Sequence, residues 1–283
     1  MRVQGQGSNG CSLEVYSNGP IGAPAVVLIA DADTAAIRWS PALVQALLAG
    51  GLRVVTFDHR DTGASAPATP GYLLDDMADD IVAIADALEL PDVALLGLGM
   101  GGTVALHVAL RHAPRVRSMV LVGASPGRSD DRLPEPSPDL VEAMVARAWA
   151  GPPETREDRI AAGLDLLGHL CGSRYGFDEQ GEFGRIMAEV DQQLELEAVE
   201  GRRESGHGNA VIETPSVLDR LAAIDVPTLV LHGTDDPVYP QGHAEAVATN
   251  LPHGQLVLVP GLGHELPDAL VADYGEQIVA ALR

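Results

Sequence analysis

The sequence predicts an α/β protein: a doubly wound, mostly parallel sheet with an inserted helical cap. Three observations carry this reading. Short apolar runs recur along the chain, stretches with helical spacing lie between them, and the alternation halts in mid-chain, where only helical patterns remain. The run Ala25 to Ala30 (Ala-Val-Val-Leu-Ile-Ala) and the run Arg53 to Phe57 (Arg-Val-Val-Thr-Phe) are apolar without alternation, as strands covered on both faces must be. Val93 to Gly97, Ser118 to Gly123, Thr228 to Leu231 and Gln255 to Val259 repeat the pattern. Helices are expected between them at Pro41 to Ala49, Leu73 to Leu88, Thr103 to Arg111 and Gln241 to Asn250. From Pro126 to about Pro215 no good strand occurs, and helical stretches fall near Pro138 to Ala150, Glu154 to Leu170 and Glu182 to Val199. Ser137-Pro138 supplies an N-cap and a first-turn proline for the first of these. The expected division is a core of residues 1–125 and 215–283 and a helical cap of residues 126–214.

Composition narrows the chemistry. Of 283 residues none is lysine: the 18 basic residues are all arginine, against 40 acidic ones, for a net charge of −22. Schiff-base formation on lysine, a pyridoxal phosphate anchor and a lysine-dependent phosphate loop are thereby excluded. Nucleic acid is disfavoured as a partner, since its binding draws on basic residues that displace counterions. No apolar run approaches the roughly 20 residues that span a bilayer, and the N-terminus carries no signal-peptide core, so a cytoplasmic location without membrane contact is expected. Cys11 and Cys171 are expected as free thiols, and no cluster has metal-ligand spacing, so neither a metal nor another cofactor is implied. The partner expected is a small-molecule substrate; the sequence leaves the oligomeric state open.

In doubly wound sheets ligands bind beyond the carboxyl ends of the strands, so the residues there carry the functional argument. Val93-Ala94-Leu95-Leu96-Gly97-Leu98-Gly99-Met100-Gly101-Gly102-Thr103 reads as strand, glycine-rich turn and helix. Its spacing is that of a nucleophile elbow, G-x-S-x-G, with Gly99 at the nucleophile's position. Gly97, Gly99 and Gly102 also fit a dinucleotide fingerprint formally. That motif opens the first βα unit and needs an acidic residue about 20 positions on, whereas this one lies in the third unit and Gly123 stands at the next strand end. Further on, His232-Gly233-Thr234-Asp235-Asp236-Pro237 follows one strand and Pro260-Gly261-Leu262-Gly263-His264 the next. Elbow, acid, histidine is the chain order of an α/β-hydrolase triad.

Over nearly its full length the chain resembles the α/β-hydrolase superfamily. Phe57-Asp58-His59-Arg60-Asp61-Thr62-Gly63, the elbow, and Gly261-Leu262-Gly263-His264 look like the aclacinomycin methylesterase branch, which acts on aromatic polyketides. By position the resemblance assigns the acid to Asp236, which directly precedes Pro237, and the base to His264. It assigns the nucleophile to Gly99, which has no side chain to attack with. The oxyanion amides fall on Met100 and Ala32, in a loop that here reads Ala30-Asp31-Ala32-Asp33 where relatives carry His-Gly or Gly-Gly. Carboxylates at 31 and 33, if turned inward, oppose a developing oxyanion. Asp31 and Asp33 are therefore candidates for acid/base groups, with loop capping as the plainer role. His207, near the return from the cap, is a candidate substrate contact, with a surface histidine as the plainer role. His59, Arg60 and Asp61 read as loop braces, His107 and His112 as packing and surface residues, and Ser125 as a displaced nucleophile without a strained turn.

Three functional readings follow. In the first, His264 held by Asp236 serves as general base or acid for a non-covalent step on a hydrophobic or aromatic, polyketide-like natural product: elimination, cyclisation, isomerisation or ring opening. In the second, the chain is a serine methylesterase inactivated at position 99, so that Gly99→Ser restores activity. In the third, it is a binding protein that kept the pocket and lost the chemistry.

Overall fold

The computed structural model describes residues 2–7, 10–176, 179–201 and 204–283. Its centre is an eight-stranded sheet in the order β1-β2-β4-β3-β5-β6-β7-β8. The strands are β1 (Arg2–Gln6), β2 (Ser12–Asn18), β3 (Ala25–Ile29), β4 (Arg53–Phe57), β5 (Val93–Leu98), β6 (Val116–Val122), β7 (Thr228–Gly233) and β8 (Gly254–Val259). From β4 to β8 every pairing is parallel, while β1 and β2 join antiparallel at one edge. The six apolar runs thus became the six parallel strands. The two edge strands escape the sequence pattern because Arg2–Gln6 and Ser12–Asn18 are largely polar.

The helices are α1 (Pro41–Ala49), α2 (Leu74–Ala87), α3 (Met100–Arg111), α4 (Pro138–Ala150), α5 (Arg156–Leu170), α6 (Glu179–Glu200), α7 (His207–Glu213), α8 (Gly242–Asn250) and α9 (Asp268–Leu282). Successive residues of one strand feed opposite cores. Val27, Ile29 and Leu95 pack with α2, α3 and α8, whereas Val26, Leu28 and Leu96 pack with α1 and α9. Both clusters consist of buried apolar side chains, and truncating one such leucine to alanine costs about 2–5 kcal/mol. α9 carries an apolar stripe of Leu270, Val271, Ile278 and Leu282 that the sequence reading passed over.

Helices α4 to α7 lie between β6 and β7 in the chain. Among the described residues of this stretch, α5 and α6 make a core of their own, from Ile160, Leu167, Ile186 and Val190. α4 is capped by the Ser137 hydroxyl, which accepts from the Leu140 amide at 3.2 Å, yet it buries Leu140 alone. No helix among the described residues is long and apolar enough to cross a membrane.

Candidate active site

The elbow keeps its geometry without its side chain. Gly99 links β5 to α3 at φ 54° and ψ −120°, a left-handed conformation that strains any L-residue and that glycine adopts freely. Its amide donates to the Val122 carbonyl at 3.0 Å, fixing the turn to the neighbouring strand. The helix that follows must come close to the sheet: a Cβ at Gly101 would overlap the Ile29 carbonyl and one at Gly97 the Gly101 carbonyl. A Cβ at Gly99 would overlap the carboxyl of Asp31.

That last contact defines the site. Asp31 follows β3, and its carboxyl fills the space an elbow side chain would take. Its Oδ1 accepts the Met100 amide at 2.7 Å, the first backbone N–H of α3. An anion suits this place, because unpaired amides and the helix dipole meet there. Its Oδ2 lies 3.2 Å from His264 Nε2. On the other side of the ring, His264 Nδ1 lies 2.8 Å from Asp236 Oδ2. Asp236 Oδ1 in turn accepts the amides of Val238 at 2.9 Å and Tyr239 at 3.0 Å, which orients it from the turn after β7. Asp31, His264 and Asp236 therefore form one continuous chain of hydrogen bonds beginning at the α3 N-terminus.

The electrostatics follow from the sandwich. Burial alone would lower the basicity of His264, but carboxylates on both ring nitrogens outweigh it and hold the ring well above its ordinary value. Burial would likewise raise Asp236, and the facing imidazolium brings it below the usual carboxylate range instead. Carboxylates on both ring nitrogens thus favour the charged form of His264. The Nε2 that a role as general base or acid would use is engaged by Asp31: the His264 side chain is 2 % exposed, and Asp31 at 23 % is the member of the chain open to the exterior.

Outside Asp31 lies a cavity of about 730 Å³ between the strand ends and α4 to α6. Leu166, Leu167, Leu170, Ile186 and Val190 give the helix side an apolar stretch beside Arg159, Glu189, Gln193 and Glu197, and Asp31, Asp33, Arg38 and Glu265 lie on the strand side. Arg38, just after the β3 turn, is held by Glu189 at 3.2 Å and Glu182 at 3.4 Å, both from α6. Glu265 has no hydrogen-bond partner among the described residues; burial pushes its carboxyl up, with nearby Asp31 and Glu182 adding to the shift against His264 and Arg38. Neither Arg38 nor Glu265 stood out in the sequence. The one available signal for Glu265 was that it directly follows His264.

The remaining candidates separate. Asp33, at φ 58°, turns away from Asp31, and its side chain is 66 % exposed. Burial of its carboxyl is outweighed by His207, whose Nδ1 lies 3.3 Å from Oδ1, so Asp33 falls below its ordinary value. His207 is fully buried, neither on the surface nor among the cavity-lining residues. Its Nδ1 accepts the Asp33 amide at 3.0 Å and its Nε2 donates to the Arg60 carbonyl at 2.9 Å, so it pins the start of α7 to two strand-end loops. His59 braces the same region by donating to the Ala30 carbonyl at 3.0 Å, and burial drives it down to about 3, so it stays neutral. Arg60 is buried against Asp80 at 2.8 Å, and Asp61 accepts the Tyr72 hydroxyl at 2.6 Å. Ser125 does meet a histidine, its hydroxyl lying 2.9 Å from His243 Nδ1. Both are sealed from solvent, and His243 Nε2 donates onward to the Pro134 carbonyl at 2.9 Å, so the pair anchors the chain's exit from β6.

Known proteins share this framework. A non-heme haloperoxidase of Rhodococcus erythropolis is 33 % identical over 221 residues, 77 % of each chain. The rhodomycin D methylesterase DauP of Streptomyces sp. (strain C5) is 28 % identical over 294 residues, covering 96 % of this chain and 95 % of that one. The crystal structure of the esterase RhEst1 from Rhodococcus sp. ECU1013 superposes with a TM-score of 0.77 at 23 % identity, over 100 % of this chain and 99 % of that one, which speaks for the fold alone. The family model of the alpha/beta hydrolase fold matches residues 28–268, from β3 to the start of α9 and so across every element of the site, and the chain belongs to that family.

Proposed function

We propose that the chain is an enzyme that carries out non-covalent acid/base chemistry on a small, largely apolar aromatic molecule bound between the strand ends and α4 to α6. The observation that carries this reading is the Asp31 carboxyl, which occupies the space of the absent nucleophile and couples the cavity to His264. Asp31 is the group that touches substrate and takes or returns its proton. His264, backed by Asp236, orients Asp31 and stabilises the carboxylate it forms a hydrogen bond with. A positioned acid or base contributes about 10²–10⁴-fold, enough for an activated carbon acid. The cavity's volume lies in the range of sites for multi-ring ligands, about 300–1,000 Å³, and its leucine-rich wall suits an aromatic, polyketide-like substrate.

An esterase disabled by a single substitution fits less well. Such a chain would retain an empty oxyanion amide, whereas the Met100 amide is occupied by Asp31. The methylesterase relatives set the test. Purified protein is incubated with rhodomycin D, and products are followed by mass spectrometry. The expected product is isomeric or dehydrated with the methyl ester intact, and Asp31→Asn abolishes it. Release of methanol by the wild type at a catalytic rate would overturn the reading, and tight binding with no product from this or related aromatic ketones would favour a binding protein.

A further inference from the structure

We propose that Glu265 is a second catalytic residue of this site: the proton donor that works with Asp31 on an aromatic-fused ketone bearing an acidic α-hydrogen. The inference rests on the acid/base reading above and specifies its substrate class.

The argument begins with the contrast between the two carboxyls. Both border the 730 Å³ cavity, and both also line a smaller void of about 40 Å³ beneath it, with Arg38, Trp39 and Leu98. Asp31 is held by two donors, the Met100 amide on one oxygen and the His264 ring on the other. Both bonds fix the orientation of the carboxyl at the cavity edge, and each oxygen keeps a second lone pair that can receive a proton. Glu265 has no donor at all among the described residues, and its half-buried side chain ends in the cavity. Groups facing it come from every side: His264 on its own loop, Asp31 from the β3 turn, Arg38 after that turn, and Glu182 and Arg185 from α6. Arg38 and Arg185 are themselves paired with Glu182. Burial, with the two neighbouring carboxylates adding to it against His264 and Arg38, pushes the Glu265 carboxyl up from its usual range. Two carboxyl groups beside one cavity, one held by donors and the other without any among the described residues, are an arrangement that can divide base from acid.

The step balances without a co-reactant. Asp31 Oδ2 takes the proton from the α-carbon. The C–H pair becomes the carbon–carbon double bond of an enol, the carbonyl π pair moves to oxygen, and that oxygen takes the proton of Glu265. Reversal restores the ketone, with protons re-equilibrated through solvent. A β-hydroxyl would leave as water by the same pair of transfers. The apolar stretch of α5 and α6 suits the fused ring, and the strand side meets the ketone edge.

The test uses 2-tetralone in deuterium oxide, with loss of its α-hydrogen signal followed by NMR. Wild type is expected to exceed serum albumin in exchange rate. Glu265→Gln is expected to slow exchange by about 10²-fold and to remove the alkaline fall of the rate, at an unchanged melting temperature. If Glu265→Gln keeps the wild-type rate and pH profile while Asp31→Asn is inactive, this inference is overturned and the acid/base reading stands. If wild type exchanges no faster than albumin, or Asp31→Asn matches wild type, both are overturned. A ¹³C-carboxyl titration of the wild type guards against misfolding of the variant: ionisation of Glu265 above the ordinary glutamate range supports the assignment, and ionisation within that range overturns it.

Discussion

Two buried histidines sit beyond the sheet in this molecule, and their surroundings lead to opposite roles. His264 lies between two carboxyls, is favoured in its charged form, and reaches the large cavity through Asp31. His243 lies between the Ser125 hydroxyl and the Pro134 carbonyl; burial lowers its basicity, with carbonyl and distant acids only partly compensating, and it does not line the large cavity. A serine beside a histidine is thus a staple here, while an aspartate beside a histidine forms the candidate chemistry. Access and the sign of the neighbouring charge make the difference.

The strongest way to break that comparison is Asp31→Asn. It should lower 2-tetralone exchange by about 10²-fold or more and move His264 back toward its ordinary titration range, read from the ring's NMR shifts. A variant with unchanged His264 titration would show that Asp31 does not control the ring. Next is Gly99→Ser. The new side chain must enter the space of Asp31 at a positive φ, so about 1–3 kcal/mol of stability should be lost and a fluorophosphonate should not label the protein. Labelling is expected only when Asp31→Gly accompanies it, and efficient labelling of the single variant would refute the coupling of the two positions.

Ser125→Ala should cost about 1–3 kcal/mol, because it leaves the Gly127 amide and His243 Nδ1 buried without a partner. Exchange activity should not change; its loss would promote Ser125 from staple to catalyst. Urea midpoints across pH sharpen the electrostatics. His264 is raised on folding, so its contribution is complete below about pH 6.5 and disappears as pH rises through the folded value. Asp236 is lowered, so its contribution is present above about pH 3.9 and disappears as pH falls through its own. Stability should therefore peak between these limits, and His264→Gln should flatten the alkaline side. The smallest effect is expected for Asp33→Asn, within about 0.5 kcal/mol, since that carboxylate is mostly exposed.

Much of this was legible in the order of residues. Each strand from β3 to β7 announces itself as a run without alternation, since burial on both faces leaves little room for polar positions, while the edge strand β8 keeps an apolar run with only Val259 fully buried. The spacing around Gly99 fixed the elbow, and the order of Asp236 and His264 behind it marked the remaining pair. Gly99 also pointed to the right question, because a nucleophile cannot be read into a residue without a side chain.

The sequence could not decide which way a side chain turns. Asp31 and Asp33 are two residues apart on one turn, and local pattern treats them alike. One is drawn to the α3 N-terminus and His264, the other to His207, 174 residues away. His207, plausible as a surface residue, is a buried pin for the same reason. Glu265 carries no motif, and its importance arises only because the β3 turn, α6 and the loop before α9 surround it. Local sequence determines which segments are strands and where the elbow falls, since these depend on short-range sterics and periodic burial. The charge of His264 and the identity of the carboxyl facing the cavity depend on long-range neighbours, and only the packed tertiary structure brings those together.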